Sequence, residues 1–137
     1  MGTRSTIALE FADGTVEQVY CHWDGYLEHN GKILFENYMD PFKVKELVAL
    51  GGFSSLDTTI EATKATAYTQ RGEDLDINKF KDYADYIANH QYEEYEYILR
   101  NVDGKAVWFV SDHDGAYVEL EQAIMDEQDR IAQEETA

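Results

Sequence analysis

Residues 5–23 read STIALEFADGTVEQVYCHW, and this stretch decides the fold. Its first part has apolar residues at every second position, as in a strand with one buried face: Ile7, Leu9 and Phe11. The turn dipeptide Asp13-Gly14 and a second alternating run follow, so the pattern predicts a β-hairpin. A two-residue loop would place Leu9 opposite Gln18. We favour a longer loop, which pairs apolar with apolar side chains, since a one-residue slip inverts the faces.

The same alternation recurs near the other end of the chain. EYEYILR at 94–100 and AVWFVS at 106–111 flank Asp103-Gly104, which is a second hairpin signal. The hairpins, with helical segments between and after them, predict an α+β fold in a single domain over 1–137. We expect an antiparallel sheet of at least four strands, with helices packed on it and an acidic C-terminal helix.

Helical periodicity fills most of the remaining sequence. One helix is predicted from near Gly31, and a second after Asp40-Pro41, where Asp caps and Pro suits the first turn. The next segment is less regular, and its spacing allows a short strand around Ile60. A third helix is predicted over 76–90 and a last one from Ala116. Their expected inward residues are Ile77, Phe80, Ala84 and Ile87 in the third, and Tyr117, Leu120, Ile124 and Ile131 in the last.

The charge of the chain is strongly negative. Eleven basic and 28 acidic residues give a formal net charge of −17, and the 18 acids and 5 bases of residues 73–137 account for −13. Such a surface repels nucleic acid and anionic membranes, because phosphate binding needs clusters of Lys and Arg. It attracts basic surfaces. We therefore predict a basic protein partner, no direct nucleic-acid binding and no membrane, with a homodimer left open. The acids assigned to partner binding are Glu93, Glu94, Glu96, Glu119, Glu121, Asp126, Glu127 and Asp129.

The run YCHWDGY at 20–26 has a structural and a ligand-binding interpretation. On strand spacing, one face carries Val19, Cys21 and Trp23, and the other carries Tyr20, His22 and Asp24. In the structural interpretation Cys21 and Trp23 fill the core and Asp24-Gly25 turns the chain. In the other, flat rings and polar edges form a pocket together with the run at 67–74, where Arg71 meets an anion. The pocket residues would be Tyr20, His22, Trp23, Asp24, Tyr26, Tyr68, Arg71 and Glu73.

Catalytic and metal-binding roles for this run are less favoured. Neighbours on a strand point to opposite faces, so His22 cannot act as the base for Cys21. For a metal, His22 and Asp24 offer at most two ligands from one face, and His113-Asp114 could add others only through folding. We expect no catalytic residue, no metal and no cofactor.

Cysteine usage and hydropathy favour a reducing compartment. One cysteine cannot make an internal disulfide or a multi-cysteine zinc site. No apolar run approaches the roughly 20 residues of a spanning helix, and the N-terminus lacks the pattern of a signal peptide. We expect a cytoplasmic protein.

Several motifs resemble a family of small phage and mobile-element proteins to which no activity is assigned. The resemblance covers most of the first hundred residues and is carried by TRSTIA at 3–8, YCHWDGY at 20–26, NGKIL at 30–34, KVKELVALG at 43–51, AYTQRGED at 67–74 and YEYIL at 95–99. It implies a compact domain in the cytoplasm of a host cell. The family pattern has more arginine before RGED, where Thr69-Gln70 stand in this chain. The acidic tail from Gly115 lies outside the resemblance.

A phage source suggests inhibition of host or defence machinery. Acidic phage proteins of this size include inhibitors that imitate DNA. Duplex DNA carries one charge per ~1.7 Å of axis, and a helix rises ~1.5 Å per residue, so acids every one to three residues approach the same density. The main hypothesis is thus a non-enzymatic inhibitor of a basic nucleic-acid-handling protein, with DNA mimicry as its mode of binding. The alternative is a nucleotide-like ligand binder or hydrolase that uses the 20–26 and 67–74 runs.

Overall fold

The computed structural model describes residues 3–112 and 116–136. The strands are β1 (Ser5–Glu10), β2 (Val16–Cys21), β3 (Asn78–Phe80), β4 (Tyr95–Val102), β5 (Lys105–Asp112) and β6 (Val118–Glu119). The helices are α1 (Lys32–Asn37), α2 (Pro41–Ala49), α3 (Ile60–Lys64), α4 (Tyr83–Asn89) and α5 (Leu120–Thr136), with a π-helical turn at Leu27–Gly31 and a 3₁₀ turn at Tyr68–Arg71. The predicted α+β class is confirmed.

The six strands form one mixed sheet in the order β3-β2-β1-β4-β5-β6. The four predicted strands are all present, and each hairpin is antiparallel. At the centre, however, β1 runs parallel to β4, with Ile7 beside Tyr97. The prediction of a purely antiparallel sheet was therefore wrong at this pair. The long connection between β2 and β4, which contains α1 to α4 and the short strand β3, lets β4 lie parallel to β1. A short turn could not supply this arrangement.

The first hairpin has the longer loop that the sequence favours. The Phe11 amide donates to the Thr15 carbonyl at 2.7 Å, and Gly14 adopts a φ of 91° inside the loop. The register pairs Ile7 with Val19 but Leu9 with Glu17. Apolar-to-apolar matching thus holds at Ile7 and not at Leu9.

The second hairpin is closed by Asp103-Gly104, as predicted. Their φ values are 53° and 83°, which match the two left-handed positions of a type I′ turn. The Gly104 amide donates to Asn101 Oδ1 at 2.9 Å. Leu99 and Trp108 face each other across the pair.

The larger hydrophobic core lies on one face of the sheet, beneath α1, α2 and α5. From the strands it receives Ile7, Leu9, Val19, Cys21, Tyr97, Leu99, Trp108 and Val110, and from the helices Leu34, Tyr38, Val44, Leu47, Val48, Leu120 and Ile124. The predicted cap of α2 is confirmed, because Asp40 Oδ1 accepts from the Phe42 amide at 3.0 Å. Trp108 Nε1 donates to the Tyr38 carbonyl at 3.0 Å, which joins β5 to the end of α1.

The opposite face of the sheet has a smaller apolar cluster beneath α4. Its buried members are Ala8, Val16, Phe80, Tyr86 and Ile98. Several buried polar side chains share this face, including Gln18 and Glu96. The two faces therefore differ in polarity as well as in size.

The predicted helix over 76–90 was wrong in extent and orientation. Residues 78–80 pair with β2, Phe80 opposite Val16, and α4 starts only at Tyr83, after Asp82 caps it. The inward residue of α4 is Tyr86, whereas Ile87 is 37% exposed. Sheet pairing at the open edge of β2 outweighs the local helical pattern.

Two smaller predictions were also wrong. The segment at Ile60 is not a strand but the start of α3, which Thr59 caps through the Ala62 amide. The last helix starts at Leu120, because Val118–Glu119 pair with β5 and leave Tyr117 outside the helix. Its predicted inward residues Leu120 and Ile124 are buried.

Candidate functional site

Most of the acids assigned to partner binding lie at the surface. Glu94, Glu119, Glu121, Asp126 and Asp129 are exposed, and Glu93 and Glu127 are half-buried. Arg130 is the one base in the sequence of β6 and α5. It forms ion pairs with Glu127 and with Glu134. The Arg130 guanidinium lowers the pKa of Glu127, and the Glu127 carboxylate raises the pKa of Arg130.

Glu96 does not belong to this surface. It is only 3% exposed and lies on the smaller-core side of β4, beside Thr6 of β1 and Ser111 of β5. Its Oε1 is 2.8 Å from His90 Nε2 and accepts from Tyr117 Oη at 3.0 Å. The assignment of Glu96 to a partner-binding surface was therefore wrong, because strand alternation turns it inward.

A short hydrogen bond joins His90 to Glu96. The Tyr86 carbonyl can only accept, so His90 Nδ1, 2.7 Å away, must carry a hydrogen. The short contact on the other side then needs a hydrogen on either His90 Nε2 or Glu96 Oε1. The pair is thus either imidazolium with carboxylate or neutral imidazole with carboxylic acid, and is uncharged overall in both cases.

Two tyrosines complete this buried network. Burial raises the pKa of Tyr86 and of Tyr117, so both phenols stay protonated. Their hydroxyl oxygens are 3.0 Å apart. Tyr92 covers the outer side, with its ring centroid 4.3 Å from that of His90. Sequence reasoning missed this network, because the alternation of Glu96 with Tyr95 and Tyr97 is typical of a polar, solvent-facing side; the signal for burial was the apolar Ile98, which shares the face of Glu96.

In the 20–26 run, the predicted burial holds for Cys21 and fails for Trp23. Cys21 is fully buried, and burial raises the pKa of its thiol to about 11. Asn30 Nδ2 lies 3.4 Å from the sulfur. A protonated, buried thiol is a poor nucleophile. Trp23 is 42% exposed, because β2 ends at Cys21 and the chain then turns through Asp24, whose φ is 57°.

The 20–26 and 67–74 runs meet through Phe53. The Phe53 amide donates to the Tyr20 carbonyl at 3.0 Å, and the Tyr68 amide donates to the Gly52 carbonyl at 3.1 Å. The rings of Tyr20 and Tyr68 stack with centroids 6.5 Å apart. A side chain on Gly52 would place its Cβ 3.0 Å from the Tyr68 ring, a tighter contact than most, so the ring would have to shift to accept it.

A row of flat side chains extends from this stack in both directions. Tyr20 Oη and His22 Nδ1 are joined by a 2.8 Å hydrogen bond, and the Trp23 ring stands edge-on to His22 at 4.7 Å. On the other side the Arg71 guanidinium lies 4.5 Å from the centre of the Tyr68 ring. Six of the eight predicted pocket residues are therefore neighbours along one surface: Tyr20, His22, Trp23, Tyr68, Arg71 and Glu73.

The remaining two predicted pocket residues serve the turn after β2. The Asp24 carbonyl accepts from the Asn30 amide at 3.2 Å. Tyr26 precedes the π-helical turn, and its ring is 6.2 Å from that of His29. Tyr97 Oη donates to the Gly25 carbonyl at 2.6 Å and anchors this turn to β4.

The cavity beside this row of side chains is lined by acids, and of the two runs only 67–74 contributes to it. It has a volume of about 370 Å³ and is lined by Gly52, Tyr68, Thr69, Glu73, Asp74, Leu75 and Asp76. The 20–26 run does not line it. Arg71 is already paired with Glu73. Three carboxylates beside an engaged arginine form an unfavourable site for a phosphate group.

Neither a metal cluster nor a membrane-crossing helix is found in the described part of the chain. Within residues 3–112 and 116–136, no three or more His, Cys, Asp or Glu side chains are placed to hold a metal ion. The candidate ligands His113 and Asp114 lie outside the described residues. Over the same part of the chain, no helix combines the length and the apolar character that crossing a bilayer requires.

Comparison of the chain with protein-family models, with curated proteins and with solved structures found no match in any of the three.

Proposed function

We propose that this protein is a non-enzymatic inhibitor, of the kind that phages and mobile elements use, which binds a basic nucleic-acid-handling protein of a host or its defences. Its acidic surface would occupy the region of the partner that normally binds nucleic-acid phosphates. The partner gains carboxylates in place of phosphates, and nucleic acid is excluded by competition. No chemical step is required.

The exposed acidic surface of β6 and α5 carries this proposal. Seven acids and one base lie in residues 118–136. The base, Arg130, is already neutralised by Glu127 and Glu134. Glu119, Glu121, Asp126 and Asp129 are exposed and remain available to a basic partner.

Helical spacing distributes these acids rather than aligning them in one stripe. Leu120 and Ile124 face the core, so Asp126 and Asp129 point away from it while Glu121 lies on the flank beside α1. A basic groove that wraps around the helix would contact more of them than a flat surface would. This distribution favours a partner whose basic residues reach α5 from more than one side, including the flank beside α1.

The alternative, a nucleotide-like ligand or hydrolase site, has weaker support. The stack of Tyr20 on Tyr68 offers a flat surface for a base. The neighbouring cavity, however, presents Glu73, Asp74 and Asp76, which repel a phosphate. The buried thiol of Cys21 offers no accessible nucleophile.

A charge-neutralising variant tests the proposal. The partner is first captured from host lysate, identified and purified. We then expect Glu119→Gln/Glu121→Gln/Asp129→Asn to lower the association rate about tenfold, with less change in dissociation, because electrostatic steering is lost. A matched variant, Glu17→Gln/Glu46→Gln/Glu61→Gln, removes equal charge from β2, α2 and α3 and should bind nearly as the wild type does.

Competition with DNA decides the mode of action. If the protein occupies the nucleic-acid site, duplex DNA and the protein displace each other from the purified partner. Simultaneous binding would contradict inhibition by mimicry. Equal association rates for the two triple variants would show that the acids of β6 and α5 have no specific role.

A further inference from the structure

A groove separates α1 from the first half of α5. It has a volume of about 290 Å³, and it is lined by Lys32, Phe35 and Glu36 of α1 and by Glu121, Ile124, Met125 and Gln128 of α5. Next to the groove, the π-helical turn that precedes α1 packs against the first residue of α5: a Cβ on Gly31 would lie 3.4 Å from Leu120 Cδ1, which is an ordinary packing distance.

The middle of the groove is apolar and open to solvent. Met125 is 51% exposed, although it directly follows the buried Ile124 on the same helix. Phe35 is half-buried, and Ile124 below it packs on the core. A flexible thioether beside an aromatic ring adapts to apolar side chains of different shapes, and such surfaces recur in proteins that bind amphipathic helices.

The edges of the groove are charged, with an excess of acids. Glu36 on α1 and Glu121 on α5 are exposed carboxylates on opposite sides. Lys32 is the single base among the lining residues. Asp126 and Asp129 continue the negative charge along α5. An occupant with a basic exterior and an apolar centre complements this arrangement, whereas a second copy of a chain with net charge −17 is repelled.

The dimensions of the groove suit a helix. Its α5 side extends from Glu121 to Gln128, which is about 10 Å, or two turns, at the rise of an α-helix. Apolar anchors at i and i+7 of an incoming helix, which are about 10 Å apart at the same rise, have a matching separation. Many nucleic-acid-handling proteins read DNA with one exposed, basic helix inserted between two rows of phosphates.

We infer that the groove between α1 and α5 is the docking site for a basic amphipathic α-helix of the partner, with an apolar anchor seated on Met125, Phe35 and Ile124 and basic residues at Glu36 and Glu121. The inference rests on the proposed function and adds the kind of segment that is bound. The acids of α5 provide attraction over a distance, and the apolar centre provides a contact that salt does not screen.

Methyl NMR spectroscopy with synthetic peptides tests the site. The protein is labelled at its methionine methyl groups, and Met39, which is 41% exposed and does not line the groove, is the internal reference. The first peptide is a helix of about four turns with leucines on one face and lysines on the other. A second has alanines in place of the leucines, and a third has glutamates in place of the lysines. We expect the first peptide to shift the Met125 methyl signal to saturation and to leave Met39 nearly unchanged.

Two serine variants separate apolar docking from charge attraction. Met125→Ser should weaken binding of the leucine peptide about fivefold. The variant lacks the exposed apolar half of the methionine side chain, which the peptide would otherwise bury. It should not change binding of the alanine peptide. Met39→Ser removes a methionine of similar exposure and should affect neither peptide. The glutamate peptide should not bind.

Three results would overturn the groove as the docking site. These are equal shifts at Met39 and Met125, equal binding of the leucine and alanine peptides, or no binding of the leucine peptide. The first two would mean attraction by charge alone, and they leave the proposed function intact. The proposed function is tested separately on the purified partner: it fails if DNA and the protein bind the partner together, or if the two triple variants associate with it at equal rates.

Discussion

Two runs of this chain look alike in sequence and differ in their structural roles. YCHWDGY at 20–26 and HQYEEYEY at 90–97 both combine histidine, acids and aromatic rings. In the first, the thiol is buried while His22 is half-buried and Trp23 exposed. In the second, the histidine and one carboxylate are buried together. The composition of a run therefore does not determine which polar groups are buried. Strand register and the elements that cover the strand determine it.

Among the variants that test this contrast, truncation of Glu96 should cause the largest loss in the free energy of unfolding. Glu96→Ala leaves His90 without its charged or hydrogen-bonded partner in a buried site, and we expect a loss of about 3–5 kcal/mol in the free energy of unfolding. Glu96→Gln keeps an amide that can donate to His90 Nε2, so it should cost about 1 kcal/mol. Denaturant titration measures both. Glu94→Ala, two positions away and exposed, is the control, and an equal loss there would contradict the buried network.

Deprotonation of Cys21 at high pH should cause the second largest loss of stability. The folded pKa of about 11 lies above the ordinary thiol value of 9.0. The folded state therefore holds the thiol proton more tightly than the unfolded state does. The contribution of the thiol to the free energy of unfolding is complete below pH 9 and is lost as the pH rises through 11. The wild type should lose about 2–3 kcal/mol more than Cys21→Ala between these pH values. Parallel stability curves for the two proteins would mean that the thiol is accessible to solvent.

The two tryptophans give a smaller and directly comparable difference. Trp23→Ala should lower stability by less than about 1 kcal/mol, because the exposed ring leaves no large cavity. Trp108→Ala, from a residue that is 2% exposed, is the reference and should cost about 3–5 kcal/mol. Thermal unfolding of both variants measures the contrast. Similar losses would place Trp23 in the core after all.

His22 should give the smallest effect. His22→Ala removes one half-exposed hydrogen bond to Tyr20, and we expect a loss of about 0.5 kcal/mol. The same variant should shift the NMR signals of Tyr20 and Trp23, because its ring lies between theirs. A loss above about 2 kcal/mol would mean that the aromatic row supports the fold rather than the surface.

Local signals account for the parts of the fold that the sequence predicted. The turn dipeptides at Asp13-Gly14 and Asp103-Gly104 and the cap at Asp40 act within a few residues, and each was found where it was expected. The pairing of β1 with β4 depends on residues about ninety positions apart, for which no local pattern exists. Phe80 fits both a helix and a strand, and only the open edge of β2 decides between them.

Some features of the candidate sites also follow from local spacing, and others depend on how distant segments pack. The exposed acids of α5 follow from amphipathic spacing around Leu120 and Ile124. The contact between Tyr20 and Tyr68 was expected only under one of two hypotheses. It depends on a third segment, Gly52-Phe53, which joins the two runs through backbone hydrogen bonds and which the sequence did not indicate. The network of His90, Glu96 and Tyr117 requires residues from three segments. Its burial depends on how those segments pack, which spacing alone does not reveal.

The parallel pairing of β1 and β4 has a consequence for synthesis of the chain. During translation, β1 and β2 emerge early and can form their hairpin, but the central partner of β1 is complete only when residue 99 has left the ribosome. Until then, the backbone groups along one edge of β1 lack their strand partner. Contacts of such long sequence separation slow folding, because the loop must close before the pairing stabilises it. The nascent chain therefore passes through an interval in which this edge can pair with other chains, and that interval ends when β4 binds beside β1.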